Sequence, residues 1–293
     1  MHISLMRILK STLFCCIIST IPDDAKSAEC VPDDEYLCVL SHASGLASVA
    51  RYKRSVLHDI AVGCRGRAVS DCIFAGSAFR DAIGDDAQPE LAMELLQAAC
   101  DGGSALGCME LGSIQWAAPD LRVRALENWQ RGCELGQDSS CNLEAWAKSQ
   151  NVGGTPEDAF GIFSQRCQIG DHVACTYLGR MLKIGAGAER NIDRSADVFT
   201  NSCEAGYHPS CFELALLYLR NLVPHNHPNE VNPLLAKSCD AGHADSCGLL
   251  GRNFIQSAGG KVADQSKRLV QKGCQLGSTA SCKYLKDISD IGE

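Results

Sequence analysis

The stretch Cys203-Glu-Ala-Gly206-Tyr-His-Pro-Ser-Cys211-Phe-Glu-Leu-Ala215 decides the fold. Two cysteines stand eight residues apart, a glycine follows the first by three, and a small residue follows the second by four. A glycine just past a helix end accepts the left-handed conformation that closes the last turn, so Cys203 ends one helix. A small residue inside a helix lets a neighbouring helix come close, so Cys211 lies in the first turn of the next helix.

The same pattern runs outward in both directions. The pairs are Cys30/Cys38, Cys64/Cys72, Cys100/Cys108, Cys133/Cys141, Cys167/Cys175, Cys203/Cys211, Cys239/Cys247 and Cys274/Cys282. Their first members recur at steps of 34, 36, 33, 34, 36, 36 and 35 residues. The glycine recurs as Gly103, Gly136, Gly170, Gly206, Gly242 and Gly277. The small residue recurs as Gly76, Gly112, Ala145, Gly179, Ala215 and Gly251. Ser104, Ser139 and Asp171 stand where a helix N-cap belongs.

One repeat reads as a helix over Ser104 to Ala117, a break at Pro119 and Asp120, and a second helix from Asp120 to Glu134. Two helices per repeat, with no strand signal, predict an all-α protein. It is an α/α superhelix, or solenoid, of seven to eight helix-turn-helix repeats of 33–36 residues. Each cysteine pair then bridges the end of one helix and the start of the next. Zinc sites, the competing use of paired cysteines, show closer spacing or added histidines.

Composition agrees with export. The chain has 293 residues, 18 cysteines and a formal net charge of −8. So many cysteines suit an oxidising compartment, and the acidic balance argues against nucleic-acid binding. Arg7 and Lys10 precede a short apolar segment, Leu13 to Ile21, followed by the small residues Ala25, Ser27 and Ala28. Residues 1–28 therefore read as a secretory signal peptide and 29–293 as the solenoid, secreted or periplasmic. Cleavage after Ser27 places Ala25 at the −3 position, whereas cleavage after Ala28 places Lys26 there; an uncleaved apolar start is the alternative. Removing the signal takes away Cys15 and Cys16 and leaves sixteen cysteines, an even number. No apolar run in the mature chain is long enough for a transmembrane segment.

These repeats resemble the Sel1-like repeat family, a relative of the tetratricopeptide repeat. The likeness is to its disulfide-bearing branch, which includes the Helicobacter cysteine-rich proteins, and it covers roughly residues 55 to 290. A mitochondrial intermembrane-space assembly factor for cytochrome oxidase carries similar repeats. Cys30-Val-Pro-Asp-Asp-Glu-Tyr-Leu-Cys38 departs from the pattern by lacking the glycine and reads as a capping variant. The resemblance implies a right-handed superhelix with a concave groove lined by the first helix of each repeat. It also implies rival functions: a protein- or peptide-binding scaffold, a weak β-lactamase or penicillin-binding protein acting at the cell wall, or a mitochondrial assembly factor.

Catalysis has no motif behind it. Ser-x-x-Lys, Lys-Thr-Gly, His-Glu-x-x-His and phosphate-binding loops are all absent. Nothing in the sequence asks for a cofactor or a metal. His225-Asn-His227 forms a Pro-flanked loop that could contribute metal ligands but reads more simply as a polar insertion. His172, His208 and His243 fall at similar points in successive turns, where solvated histidines are the simpler reading. By analogy with tetratricopeptide repeats, positions one, five and eight past the second cysteine face the groove. They give Met109, Trp116, Asn142, Trp146, Thr176, Arg180, Lys183, Phe212 and Arg252 as candidate binding residues for a protein or peptide partner. The tryptophans would supply apolar anchors and the cations a grip on carboxylate or phosphate.

Overall fold

The computed structural model describes residues 36–41, 48–65, 69–82, 88–223 and 228–290. The expected signal segment, Cys30 and the His225/His227 loop lie outside these residues. The chain divides into two compact units, one ending at Thr155 and the other running from Pro156.

The first unit opens with an antiparallel pair, β1 (Tyr36–Ser41) and β2 (Ser48–Lys53), in which Cys38 stands opposite Arg51. Cys38 is thus on a strand, not in the first turn of a helix. Its surroundings, Leu37, Val39, Val49 and Tyr52, are the aliphatic, β-branched and aromatic types that favour strands. Six helices follow: α1 (Arg54–Arg65), α2 (Val69–Arg80), α3 (Pro89–Asp101), α4 (Ala105–Trp116), α5 (Arg122–Glu134) and α6 (Asp138–Ser149). The second unit holds α7 (Pro156–Gln168), α8 (His172–Ile184), α9 (Ile192–Glu204), α10 (His208–Leu219), α11 (Pro228–Asp240), α12 (Ala244–Ser257), α13 (Asp264–Gln275) and α14 (Thr279–Asp290). Within each unit every helix packs on the next. The all-α solenoid class holds in both units.

The predicted turns form as the residues require. Gly103, Gly136, Gly170, Gly206, Gly242 and Gly277 all have φ between 86° and 99°. The residue after each glycine donates its N–H back to the carbonyl five residues earlier, as Ser104 does to Ala99 and His243 to Ser238, both at 3.0 Å. Ser104 and Asp171 cap α4 and α8 by accepting from the amides of Gly107 and Ala174. Ser139 does not cap α6: that helix starts two residues sooner, after Gln137, and Ser139 is taken into its first turn.

Seven disulfides close these turns. They are Cys64–Cys72, Cys100–Cys108, Cys133–Cys141, Cys167–Cys175, Cys203–Cys211, Cys239–Cys247 and Cys274–Cys282, with Cα atoms 4.5 to 4.8 Å apart. Each ties an odd-numbered helix to the even-numbered one after it. The Cys30/Cys38 pairing lies outside the described residues. The two cysteines of a bridge are not always equally covered. Cys141 on α6 and Cys175 on α8 are buried, 5% and 6% exposed, whereas their partners Cys133 and Cys167 at the preceding helix ends are half-buried. Cys141 and Cys175 therefore serve as core packing as well as links, and they are not groups a partner can reach.

The core is built by one further rule. Four residues before the first cysteine, in every described repeat after that of Cys64, stands a fully buried large side chain: Leu96, Trp129, Phe163, Phe199, Leu235 and Val270. The small residue of the preceding even helix makes room for it. A Cβ on Gly112 would lie 2.6 Å from Trp129 Nε1, and one on Gly179 would lie 2.5 Å from Phe199 Cε1. The carbonyl this exposes is used: Ser195 Oγ on α9 donates to Gly179 O at 2.7 Å.

Candidate functional site

The even-numbered helices touch one another within each unit, α2 on α4, α8 on α10, and α12 on α14. Along this row the repeats are joined by side chains at matching positions. Arg80, eight past its second cysteine, pairs with Glu110, two past the next. Lys183 and Glu213 stand in the same two positions in the second unit, with Lys183 Nζ 2.7 Å from Glu213 Oε2.

Between α4 and α6 the joint is aromatic. Trp116 occupies the position of Arg80 and packs on Trp146 and Trp129, with ring centroids 4.8 and 5.2 Å away. Trp116 is only 9% exposed, and the Arg122 guanidinium lies 5.2 Å from its ring centre. Asn142, next to the bridged Cys141, is also buried. Met109 is half-buried, its sulfur 3.6 Å from the Gln137 amide and its carbonyl accepting from Trp129 Nε1 at 3.2 Å. Trp146 is half-buried.

The second unit gathers the most concentrated polar chemistry. Glu213 on α10 is 5% exposed and receives both Arg180 Nε, at 2.6 Å, and Lys183 Nζ. Burial pushes the Glu213 carboxyl up, but the Lys183 and Arg180 contacts outweigh it and hold the group below its ordinary value. Arg180 keeps 43% of its side chain exposed and lies 5.6 Å from the Tyr177 ring centre. Thr176, next to the bridged Cys175, is buried. Its hydroxyl donates to His172 O at 2.9 Å or shares a hydrogen with Ser210 Oγ at 2.7 Å. Phe212 packs on His243, ring centroids 4.5 Å apart. Buried Glu213 has no motif of its own; its signal is a carboxylate at the position where Glu110 answers Arg80.

Arg252 on α12 repeats the position of Arg180, five past the second cysteine, but the position of Glu213 is filled by Tyr284. The guanidinium carbon of Arg252 sits 4.5 Å from the Tyr284 ring centre, and its shielded Nε has no hydrogen-bond partner. The structure therefore brings Arg180 and Lys183 together on Glu213, while Thr176 on the same helix meets Ser210. Among the described residues Arg252 is left as a half-buried cation that no carboxylate meets.

The histidines do not form a cluster. His172 stacks on Tyr207 with centroids 6.4 Å apart, while His243 Nδ1 accepts from Ser246 N as the N-cap of α12. Among the described residues no group of three or more His, Cys, Asp or Glu is placed to hold a metal ion. Burial lowers the His243 pKa below 6.5, and Arg180 adds to this while Asp245 and Glu213 oppose it.

A base held neutral by the fold, as His243 is, contributes stability above its ordinary pKa, and that contribution is lost as pH falls. The lowered Glu213 acts in the same sense below its ordinary 4.5. The melting temperature is therefore expected to fall as pH drops from 7 through 6.5, through His243, and again below 4.5, through Glu213. His243→Ser keeps a cap acceptor, worth about 1 kcal/mol, and should flatten the upper part of this slope. Thermal melts of both proteins across that range check it; parallel slopes would show that His243 plays no part.

Solved structures similar to this chain are Sel1-repeat proteins. A protective antigen of uropathogenic Escherichia coli strains that displays an SLR fold is 18% identical, with a TM-score of 0.53, over 79% of this chain and 51% of its own. The present chain thus spans about half the length of that antigen. A Sel1 repeat protein from Oxalobacter formigenes is 15% identical, with a TM-score of 0.58, over 71% of this chain and 85% of its own. No family model matches the chain, and no curated protein matches it. At these identities the likeness is one of fold.

Proposed function

We propose that this Sel1-like repeat protein is an exported, disulfide-hardened scaffold that binds an acidic peptide segment of a protein partner along the even-numbered helices of its second unit. The observation that carries the reading is the difference between Arg180 and Arg252. At Arg180 the chain supplies its own carboxylate, Glu213, at 2.6 Å. At Arg252 the same position of the repeat offers an aromatic ring instead, so the cation is set to receive a carboxylate from outside. Arginine is suited to this because its fork of N–H groups matches a carboxylate in two places. The half-buried Phe212 beside His243 adds apolar contact on the adjoining helix. The solenoid supports this use, since stacked repeats present equivalent positions at regular intervals. Export is supported by the paired cysteines and by the charged-then-apolar start of the chain.

A displayed peptide library selected on the oxidised protein tests the binding. The selected peptides should be rich in Asp and Glu, and Arg252→Glu should weaken them by at least about tenfold, because it puts like charges together. Recovery of no saturable peptide, or unchanged affinity in Arg252→Glu, would count against the reading.

A further inference from the structure

The second unit also holds a cavity of about 340 Å³ where the C-terminal ends of α10 and α12 meet the start of α11. Its lining is Tyr218, Leu219, Asn221, Val231, Asn232, Asn253, Gln256 and Ser257. Among the described lining residues there is no carboxylate, lysine, arginine or histidine. Four side-chain amides and two hydroxyls, those of Ser257 and Tyr218, line one cavity, with Leu219 and Val231 as apolar wall. The volume lies at the lower end of the range for small-molecule sites.

The geometry points to a binding site for a neutral sugar residue. A sugar offers neighbouring hydroxyls, each both donor and acceptor, and one apolar face of C–H groups. A side-chain amide answers two hydroxyls at once, with its oxygen as acceptor and its NH₂ as donor. Asn253 Nδ2 donates to Asn232 Oδ1 at 3.2 Å. That bond fixes both amides and leaves Asn253 Oδ1 and Asn232 Nδ2 as an acceptor and a donor of known orientation. Gln256 and Ser257, one turn along α12, extend the set. The half-buried Tyr218 supplies a ring edge with a phenolic oxygen. A charged ligand would find no opposite charge among the described lining residues, whereas the amides answer uncharged hydroxyls.

The site uses none of the residues of the arginine row, so the two readings fail separately. The test is titration of the oxidised protein with glucose and N-acetylglucosamine, read by nuclear magnetic resonance of the side-chain amides. Saturable shifts of Asn232, Asn253 and Gln256 are expected, with a Kd on the order of 1 mM for a single residue. Asn253→Ala should weaken binding by at least about tenfold, and Asn253→Asp, which keeps the shape, should do the same if neutrality matters. Arg252→Glu should leave it unchanged. Glucuronate and a blocked alanine tripeptide complete the panel. Equal binding of glucuronate would overturn the neutral-sugar assignment, tighter binding of the tripeptide would reassign the cavity to peptide main chain, and absence of saturable shifts with either sugar would dismiss the site.

Discussion

Reduction of the seven cystines is expected to unfold the protein under conditions where the oxidised form is native. Each bridge closes a ring spanning a separation of eight residues. In the chain-entropy account a ring of this size stabilises by about 2–3 kcal/mol. Seven of them exceed the roughly 5–15 kcal/mol of net stability that a typical domain possesses. Urea titrations followed by far-UV circular dichroism, with and without reductant, provide the comparison; coincident midpoints would refute the expectation. An order is expected too. Cys100, Cys108, Cys239 and Cys247 are buried to 1% exposure or less, whereas Cys133, Cys167 and Cys274 are half-buried. Limited reduction with alkylation should label the bridges with a half-buried sulfur first, since exchange needs access to a sulfur. In Cys133–Cys141 and Cys167–Cys175 the attack should fall on Cys133 and Cys167, because Cys141 and Cys175 are the buried members.

Trp129→Ala is expected to be the most destabilising single change in the first unit. The side chain is 1% exposed, packs on Trp116 and donates its indole N–H to Met109 O. Truncating a buried aromatic of this size costs about 3–5 kcal/mol through lost burial and the cavity left behind. The size rule of the repeat predicts a partial rescue. Leu235 packs with Ala215 where Trp129 packs with Gly112. Trp129→Leu combined with Gly112→Ala should therefore recover part of the loss, whereas Gly112→Ala alone overpacks and should cost about 1–3 kcal/mol. Denaturation midpoints of the three variants decide it; a double variant no better than Trp129→Ala would refute the rule.

The turns and the bridges were legible because their determinants are local. A glycine three past a cysteine, and a second cysteine five further on, fix a helix end and a helix start within a single short segment. The caps at Ser104 and Asp171 stand four residues before the second cysteine; in α6 that position is Gln137, and Ser139, two residues further on, lies inside the helix. The row of even helices was harder to read. Its joints connect residues some thirty positions apart, as Lys183 with Glu213, so their meaning depends on how repeats align in space. The same distance hides the role of Trp116, which the groove analogy offers as an anchor and the structure places among Trp129 and Trp146. The strand pair around Cys38 was masked by the cysteine spacing itself, which makes a non-helical segment look like one more repeat.

The eight-residue separation of every described bridge also bears on how the native pairings are found. Loops of about ten residues close in roughly 10–100 ns, far faster than a thiol reacts. Each sulfur therefore meets its correct neighbour as soon as the second one emerges, before the next pair exists. As the chain enters an oxidising compartment end first, oxidation can proceed in order from the first repeat to the last, with little call for shuffling, and that order of entry selects one connectivity among the very many available to so many thiols.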